Sequence, residues 1–152
     1  MFANFKKRPG LSPIRIICAL LTWVVTTSTS EAVFAADITL AGNQIRISGD
    51  IEVGDAESFL EILDNAKSNP PKLVRLASDG GRTYVALRIG SVIRERGLDT
   101  YAEGSCASSC GLIWLGGVKR YIQDGAKVGF HNSYDENTRK AQGNALVGFY
   151  MA

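Results

Sequence analysis

The residues of this chain best suited to nucleophilic chemistry are three serines and one histidine. Ser105, Ser108 and Ser109 fall in the run Gly104–Gly117, GSCASSCGLIWLGG, and His131, the only histidine, closes the apolar run Val128-Gly129-Phe130. A serine hydroxyl is a weak nucleophile until a base takes its proton, and an imidazole is the usual base. Small residues leading into an apolar helical stretch put Ser108 at a helix mouth. There, free N–H groups and the helix dipole favour developing negative charge. Ser108 and His131 therefore form a candidate Ser–His pair, with the Ser109 amide beside an attacked carbonyl. The competing reading is that Ser105, Ser108 or Ser109 simply caps the helix and that His131 is structural.

Two further features lie close by. Ser78-Asp79-Gly80-Gly81 follows a short apolar run. Paired glycines let a backbone approach a ligand and present its N–H groups, although the same residues also make an ordinary turn. Cys106 and Cys110 bracket Ser108 and Ser109. At i, i+4 on one helix their Cα atoms would lie ~6 Å apart, near the edge of disulfide geometry. They are a candidate disulfide, with two small buried residues as the alternative. A thiol redox pair is a weaker reading, because the spacing is one residue longer than Cys-x-x-Cys. Two cysteines and a distant histidine do not supply four zinc ligands, and the chemistry read here needs no metal and no cofactor.

These groups must be positioned by an alternation of strands and helices. Ile38-Thr39-Leu40 and Gln44–Ser48, split by Gly42-Asn43, predict a hairpin. Asp55 is a candidate N-cap for a helix carrying Ala56, Phe59, Leu60, Leu63 and Ala66, closed by Asn69-Pro70-Pro71. Leu73–Ala77 predicts a buried strand. A second helix starts near Thr83, with Val85, Ile89, Val92 and Ile93 on one face and Gly97 as its stop. Asp99–Ala102 is the next strand, Glu103–Ser105 a turn, and Leu112–Leu115 the body of a third helix ended by Gly116-Gly117. Arg120–Ile122 and Lys127–Phe130 predict two short strands, 132–142 a loop, and 144–151 the start of another helix. Such alternation favours a layered α/β arrangement with mostly parallel strands.

The N-terminus has a different character. Lys6, Lys7, Arg8 and Arg15 form a basic region leading into the apolar core Ile14 to Val25, and Ala32-Val33-Phe34-Ala35 offers small residues for cleavage. Residues 1–35 are expected to be a secretory signal, with an uncleaved membrane anchor as the alternative, and 36–152 the domain. Removing the four basic residues and Glu31 of that segment from the 17 basic and 15 acidic residues of the chain leaves 13 and 14, a net charge of −1. The basicity belongs to the export signal. No basic face with interleaved aromatics points to nucleic acid. An exported chain is expected in the periplasm, where a disulfide is permitted.

The segment from Ile45 to His131 resembles the ClpP/crotonase superfamily, and within it the exported ClpP-like serine peptidases of bacteria. The ClpP pattern has a strand ending in Ser-Pro-Gly-Gly, then Ala-Ser-Met-Gly opening a helix, then an apolar strand ending in histidine. Here those stretches read Ser78-Asp79-Gly80-Gly81, Ala107-Ser108-Ser109-Cys110 and Val128-Gly129-Phe130-His131. The resemblance implies an α/β fold, a ClpP/crotonase-like layered βαβ spiral with its C-terminal part missing. It implies Ser108 as nucleophile, His131 as base, and the Gly81 and Ser109 amides as an oxyanion hole. Each such donor is worth about 2.7–4 kcal/mol in the transition state. It further implies a peptide or protein substrate and a homo-oligomer. Asp79 stands where the family has proline, the cysteines are an addition, and the family's triad acid lies beyond the end of this chain, with Asp135 and Glu136 as the nearest carboxylates. The alternative function is a non-catalytic module that holds an extended peptide by strand addition.

Overall fold

The computed structural model of the chain describes residues 35–132 together with 137, 138 and 140. The expected signal up to residue 34, the expected helix at 144–151, and Asp135 and Glu136 lie outside the described residues. The chain divides into two units, Met1–Glu31 and Ala32–Ala152, and every described residue belongs to the second.

Strands β1 (Asp37–Ala41) and β2 (Gln44–Ser48) form the expected antiparallel hairpin. Helix α1 (Asp55–Asn65), strand β3 (Leu73–Ser78), helix α2 (Thr83–Glu95) and strand β4 (Asp99–Ala107) follow, then helix α3 (Ser109–Gly116) and strands β5 (Arg120–Ile122) and β6 (Lys127–Gly129). From β2 onward all pairings are parallel. The sheet order is β1-β2-β3-β4-β5, and β6 joins the far end of β4. The fold is α/β with a mostly parallel sheet, as expected. No helix among the described residues is long and apolar enough to cross a membrane.

The pleat assigns the two faces. Ile45, Ile47, Val74, Leu76, Thr100 and Ala102 turn inward and are buried. Phe59 and Leu63 of α1, Val85, Ala86, Ile89 and Ile93 of α2, and Leu112 and Ile113 of α3 complete one core with them. A fully buried side chain such as Phe59 or Ile89 stabilises the fold by about 1.5–3 kcal/mol. On the opposite face, Arg46, Arg75 and Tyr101 lie in one cross-strand row. Glu103 ties that row together: Arg75 donates Nε–H to its Oε1 at 2.7 Å, and Arg46 Nη1 lies 3.5 Å from Oε2. Arg75 also stacks over the Tyr101 ring at 4.9 Å.

Three local expectations are corrected. Gly54, at φ +101°, is the N-cap of α1, and Asp55 is its first residue. Buried Asp55 instead accepts the Glu52 N–H at 2.7 Å and the Ala36 N–H at 3.2 Å, tying the helix to the chain before β1. The helix also ends at Asn65, before the proline pair. Most consequentially, Glu103–Ser105 is not a turn out of the sheet. β4 continues to Ala107, and its register against β3 shifts between Leu76↔Ala102 and Ser78↔Cys106. Two extra residues bulge from β4, and Gly104, at φ +56°, takes the left-handed conformation that the bulge requires. The strand therefore runs directly into the helix mouth.

Candidate active site

The junction between β4 and α3 is one residue long. Ser108 occupies it at φ +55°, ψ −123°, and is the only non-glycine residue with positive φ among the described residues. A β-carbon-bearing residue held there costs of order 1–3 kcal/mol and persists only where its surroundings fix it. Four neighbours do so. The Ser108 N–H donates to Gly129 O of β6 at 2.8 Å, and its carbonyl accepts the Gly111 N–H at 3.0 Å. Cys106 at the end of β4 is joined by a disulfide to Cys110 in the first turn of α3, with Cα atoms 5.2 Å apart. The bridge therefore spans strand and helix, not two turns of one helix. Finally, a Cβ on Gly80 would lie 2.7 Å from Ser108 Cβ and 3.2 Å from its Oγ, so the loop after β3 presses directly on the serine side chain.

The three serines now separate. Ser108 stands at the N-cap, yet its hydroxyl makes no capping hydrogen bond, so the capping reading fails for it. Ser105 Oγ–H donates to Asp79 Oδ1 at 2.7 Å. Ser109 is buried, and its hydroxyl meets no partner among the described residues. Only Ser108 combines a half-buried, reachable position with an uncommitted hydroxyl at the helix mouth. The Ser105–Asp79 bond draws the Asp79 carboxylate towards the β4 bulge.

The loop from Asp79 to Arg82 presents its amides selectively. Gly80 N–H donates to Ser78 Oγ at 3.1 Å. Arg82 N–H donates to Ile51 O at 2.7 Å, and Gly80 O accepts the Ile51 N–H at 2.8 Å. The Gly81 N–H enters none of these bonds, and Gly81 is exposed where Gly80 is buried. Gly81 must be glycine, since at φ +140° a Cβ would fall 2.1 Å from Ile51 O. The Gly81 amide, next to the Gly80 that lies against Ser108, and the Ser109 amide, which as the first residue of α3 has no intrahelical acceptor, enter none of the backbone hydrogen bonds at this junction.

His131 follows β6. The residues before it are docked on the junction: Gly129 O takes the Ser108 N–H, and the Phe130 ring lies 2.6 Å from where a Cβ on Gly111 would stand. The imidazole itself is exposed, with Nδ1 2.8 Å from the Asn132 carbonyl oxygen. An Nδ1–H donated to that carbonyl leaves the lone pair on Nε2, the tautomer a general base needs. Among the described residues no hydrogen bond links His131 to Ser108 Oγ, so the structure brings Ser108, Ser109 and Gly80 together and does not join the imidazole to them.

A cleft of about 380 Å³ runs along the ends of β2, β3 and β4, bordered by Arg46, Asp50, Ser78, Asp79, Glu103 and Ser105. It reaches the glycine loop but neither Ser108 nor His131. Among the described residues no group of His, Cys, Asp and Glu side chains is arranged to hold a metal ion. Sequence reasoning passed over Ser78 and its bond to Gly80. A serine two residues ahead of a glycine turn, in the pattern of a side chain-to-backbone turn, is the signal that points to it.

Comparison with solved structures agrees with this architecture. A ClpP1 variant from Listeria monocytogenes superposes with a TM-score of 0.55 at 20% identity, covering 63% of this chain and 60% of that one. Two variants of the 1510-N membrane-bound stomatin-specific protease follow, both with a TM-score of 0.54. One has 18% identity over 73% of this chain and 60% of that one. The other, solved with a substrate peptide, has 19% identity over 73% and 57%. The chain thus spans about 60% of the length of the structures it matches. No protein-family model matches the sequence, and no curated protein matches it either. On these superpositions the chain has a ClpP-like fold.

Proposed function

We propose that this chain is a ClpP-like serine hydrolase of the peptidase type, acting on peptide or protein. Ser108 Oγ attacks the carbonyl carbon and its proton passes to Nε2 of His131. The negative charge that forms on the carbonyl oxygen is met by the N–H groups of Gly81 and Ser109 at the mouth of α3. The imidazolium then protonates the leaving amine, and a water activated by the same imidazole hydrolyses the acyl-serine. The observation that carries this reading is Ser108 itself, held at φ +55° with a hydroxyl that caps nothing, against the loop whose exposed amide is Gly81.

A peptide or protein substrate is proposed on the likeness of the fold to proteases, one of them the 1510-N protease solved with a substrate peptide. A homo-oligomer is proposed on the same resemblance. Export is proposed on the basic and apolar pattern of residues 1–35, and the Cys106–Cys110 bridge is at home in an oxidising compartment. Active-site labelling of the full chain with a fluorophosphonate tests the chemistry. Ser108→Ala is expected to abolish labelling and Ser109→Ala to retain it. Labelling that survives Ser108→Ala sinks the assignment.

One observation favours a second reading, that of a non-catalytic module. The His131 ring is exposed and unconnected to Ser108 Oγ. Under that reading a fluorescent peptide binds with equal affinity to the parent chain and to the Ser108→Ala, His131→Ala double variant, and no labelling occurs.

A further inference from the structure

Of three consecutive backbone amides in the Asp79–Arg82 loop, those of Gly80 and Arg82 are bonded and that of Gly81 enters neither bond, and one buried side chain holds the first. Ser78 ends β3 with its side chain on the helix-covered face, where it is 5% exposed. Its hydroxyl does not bond across the sheet. It turns forward onto the loop, accepts the Gly80 N–H at 3.1 Å and lies 3.4 Å from Gly80 O. The Gly80 carbonyl is fixed from the other side by the Ile51 N–H, and the Arg82 amide by Ile51 O. With residues 80 and 82 committed, the peptide between them is left with its N–H outward.

We infer that Ser78 is a positioning residue which, by occupying the Gly80 amide, selects the Gly81 N–H as the oxyanion donor for attack by Ser108. The inference rests on the hydrolase reading above and deepens it. Without the Ser78 oxygen, the Gly80 N–H is a buried donor with no acceptor, and such a group costs about 1–3 kcal/mol unless it finds one. Rotation of the Asp79–Gly80 peptide is the easy escape, since Gly80 is a glycine at φ +118°. Such a rotation shifts Gly80 against its carbonyl bond to the Ile51 N–H and so re-aims the Gly81 N–H that shares the peptide with that carbonyl. A donor aimed at charge that appears only in the transition state acts on the bond-making step far more than on binding. Gly80 also lies against Ser108 Cβ, so the same hydroxyl fixes the distance between donor and nucleophile.

The test uses the full chain and two readouts. Amide hydrogen exchange followed by NMR is expected to show Gly80 protected and Gly81 exchanging fast in the parent, with Gly80 protection lost in Ser78→Ala. The concentration dependence of fluorophosphonate labelling separates probe binding from phosphonylation of Ser108. Ser78→Ala is expected to slow phosphonylation roughly tenfold to a hundredfold, with probe affinity within about twofold. Ser78→Thr, which keeps the hydroxyl, is expected to restore the rate. A Gly80 amide that exchanges as fast as Gly81 in the parent overturns the inference. So does a Ser78→Ala variant that loses probe affinity and rate in parallel, which is the mark of a merely structural role. If the parent is not labelled at all, the hydrolase reading fails, and the exchange pattern alone decides whether Ser78 orders the loop.

Discussion

Around Ser108, four contacts contribute a constraint: the Gly111 N–H within α3, the disulfide into α3, the Gly129 carbonyl of β6, and the glycine loop after β3. At His131, just past the end of β6, the ring is exposed and its Nδ1 bonds the carbonyl of the next residue. The contrast divides the proposed reaction. The proposed nucleophile and oxyanion donors are ordered by a short-range bridge together with contacts from β6 and the loop after β3 that are distant in sequence, which packing holds rigidly. The proposed base follows residues docked on the junction, but its ring is exposed, so its distance to the serine can adjust when a substrate arrives, as catalytic hydrogen bonds in free enzymes commonly do.

The largest expected effect breaks the rigid half outright. Gly81→Ala drives a Cβ into the Ile51 backbone at a φ that alanine avoids. It is expected to abolish labelling and to cost about 3 kcal/mol or more in urea denaturation. His131→Ala tests the other half. It is expected to slow labelling by about 10²–10⁴-fold with stability within about 0.5 kcal/mol of the parent. A large loss of stability there would erase the distinction between the halves. Removing the bridge with Cys106→Ala and Cys110→Ala is expected to cost about 2 kcal/mol, as befits a short loop. Labelling should slow as well, because the Ser108 conformation loses one of its four supports. Parent-like labelling in that variant would assign the bridge to stability alone.

The smallest effect lies away from the site and serves as a control. Glu57 on α1 pairs with Arg88 on α2, and its carboxyl is held below the ordinary value of 4.5, first by a backbone hydrogen bond and then by the Arg88 side chain. A depressed carboxylate stabilises the fold above its unfolded pKa, and that contribution fades as pH falls through the lower folded value. Glu57→Gln is expected to lower the thermal midpoint slightly at neutral pH. The difference from the parent should vanish in acid, with labelling untouched throughout. A Glu57→Gln midpoint that stays parent-like at neutral pH counts against the contribution of this exposed pair.

Much of the architecture was legible in the chain. Alternating apolar residues marked the hairpin, helical spacing marked α2, and the small-residue run before Leu112 put Ser108 at a helix mouth. What escaped the sequence was set by contacts between distant residues. Glu103-Gly104-Ser105 has the composition of a turn, and only pairing with β3 and β6 keeps it within β4. Asp55 has the chemistry of a cap, but Gly54 takes the cap geometry while Asp55 reaches the chain near β1. The ion-pair row on the open face and the Ser105–Asp79 bond join residues some 26 to 57 positions apart, and no local pattern announces them.

The absence of a methyl group at position 80 has a practical side. Inactive forms of a hydrolase are usually made by deleting the attacking oxygen, which also removes a polar contact from whatever binds there. Here Gly80→Ala would do the reverse, crowding the Ser108 side chain with one added carbon while its hydroxyl remains. On the proposed hydrolase reading, that variant strains the loop at φ +118° and crowds the serine at once, and its comparison with Ser108→Ala separates recognition of a substrate from its cleavage.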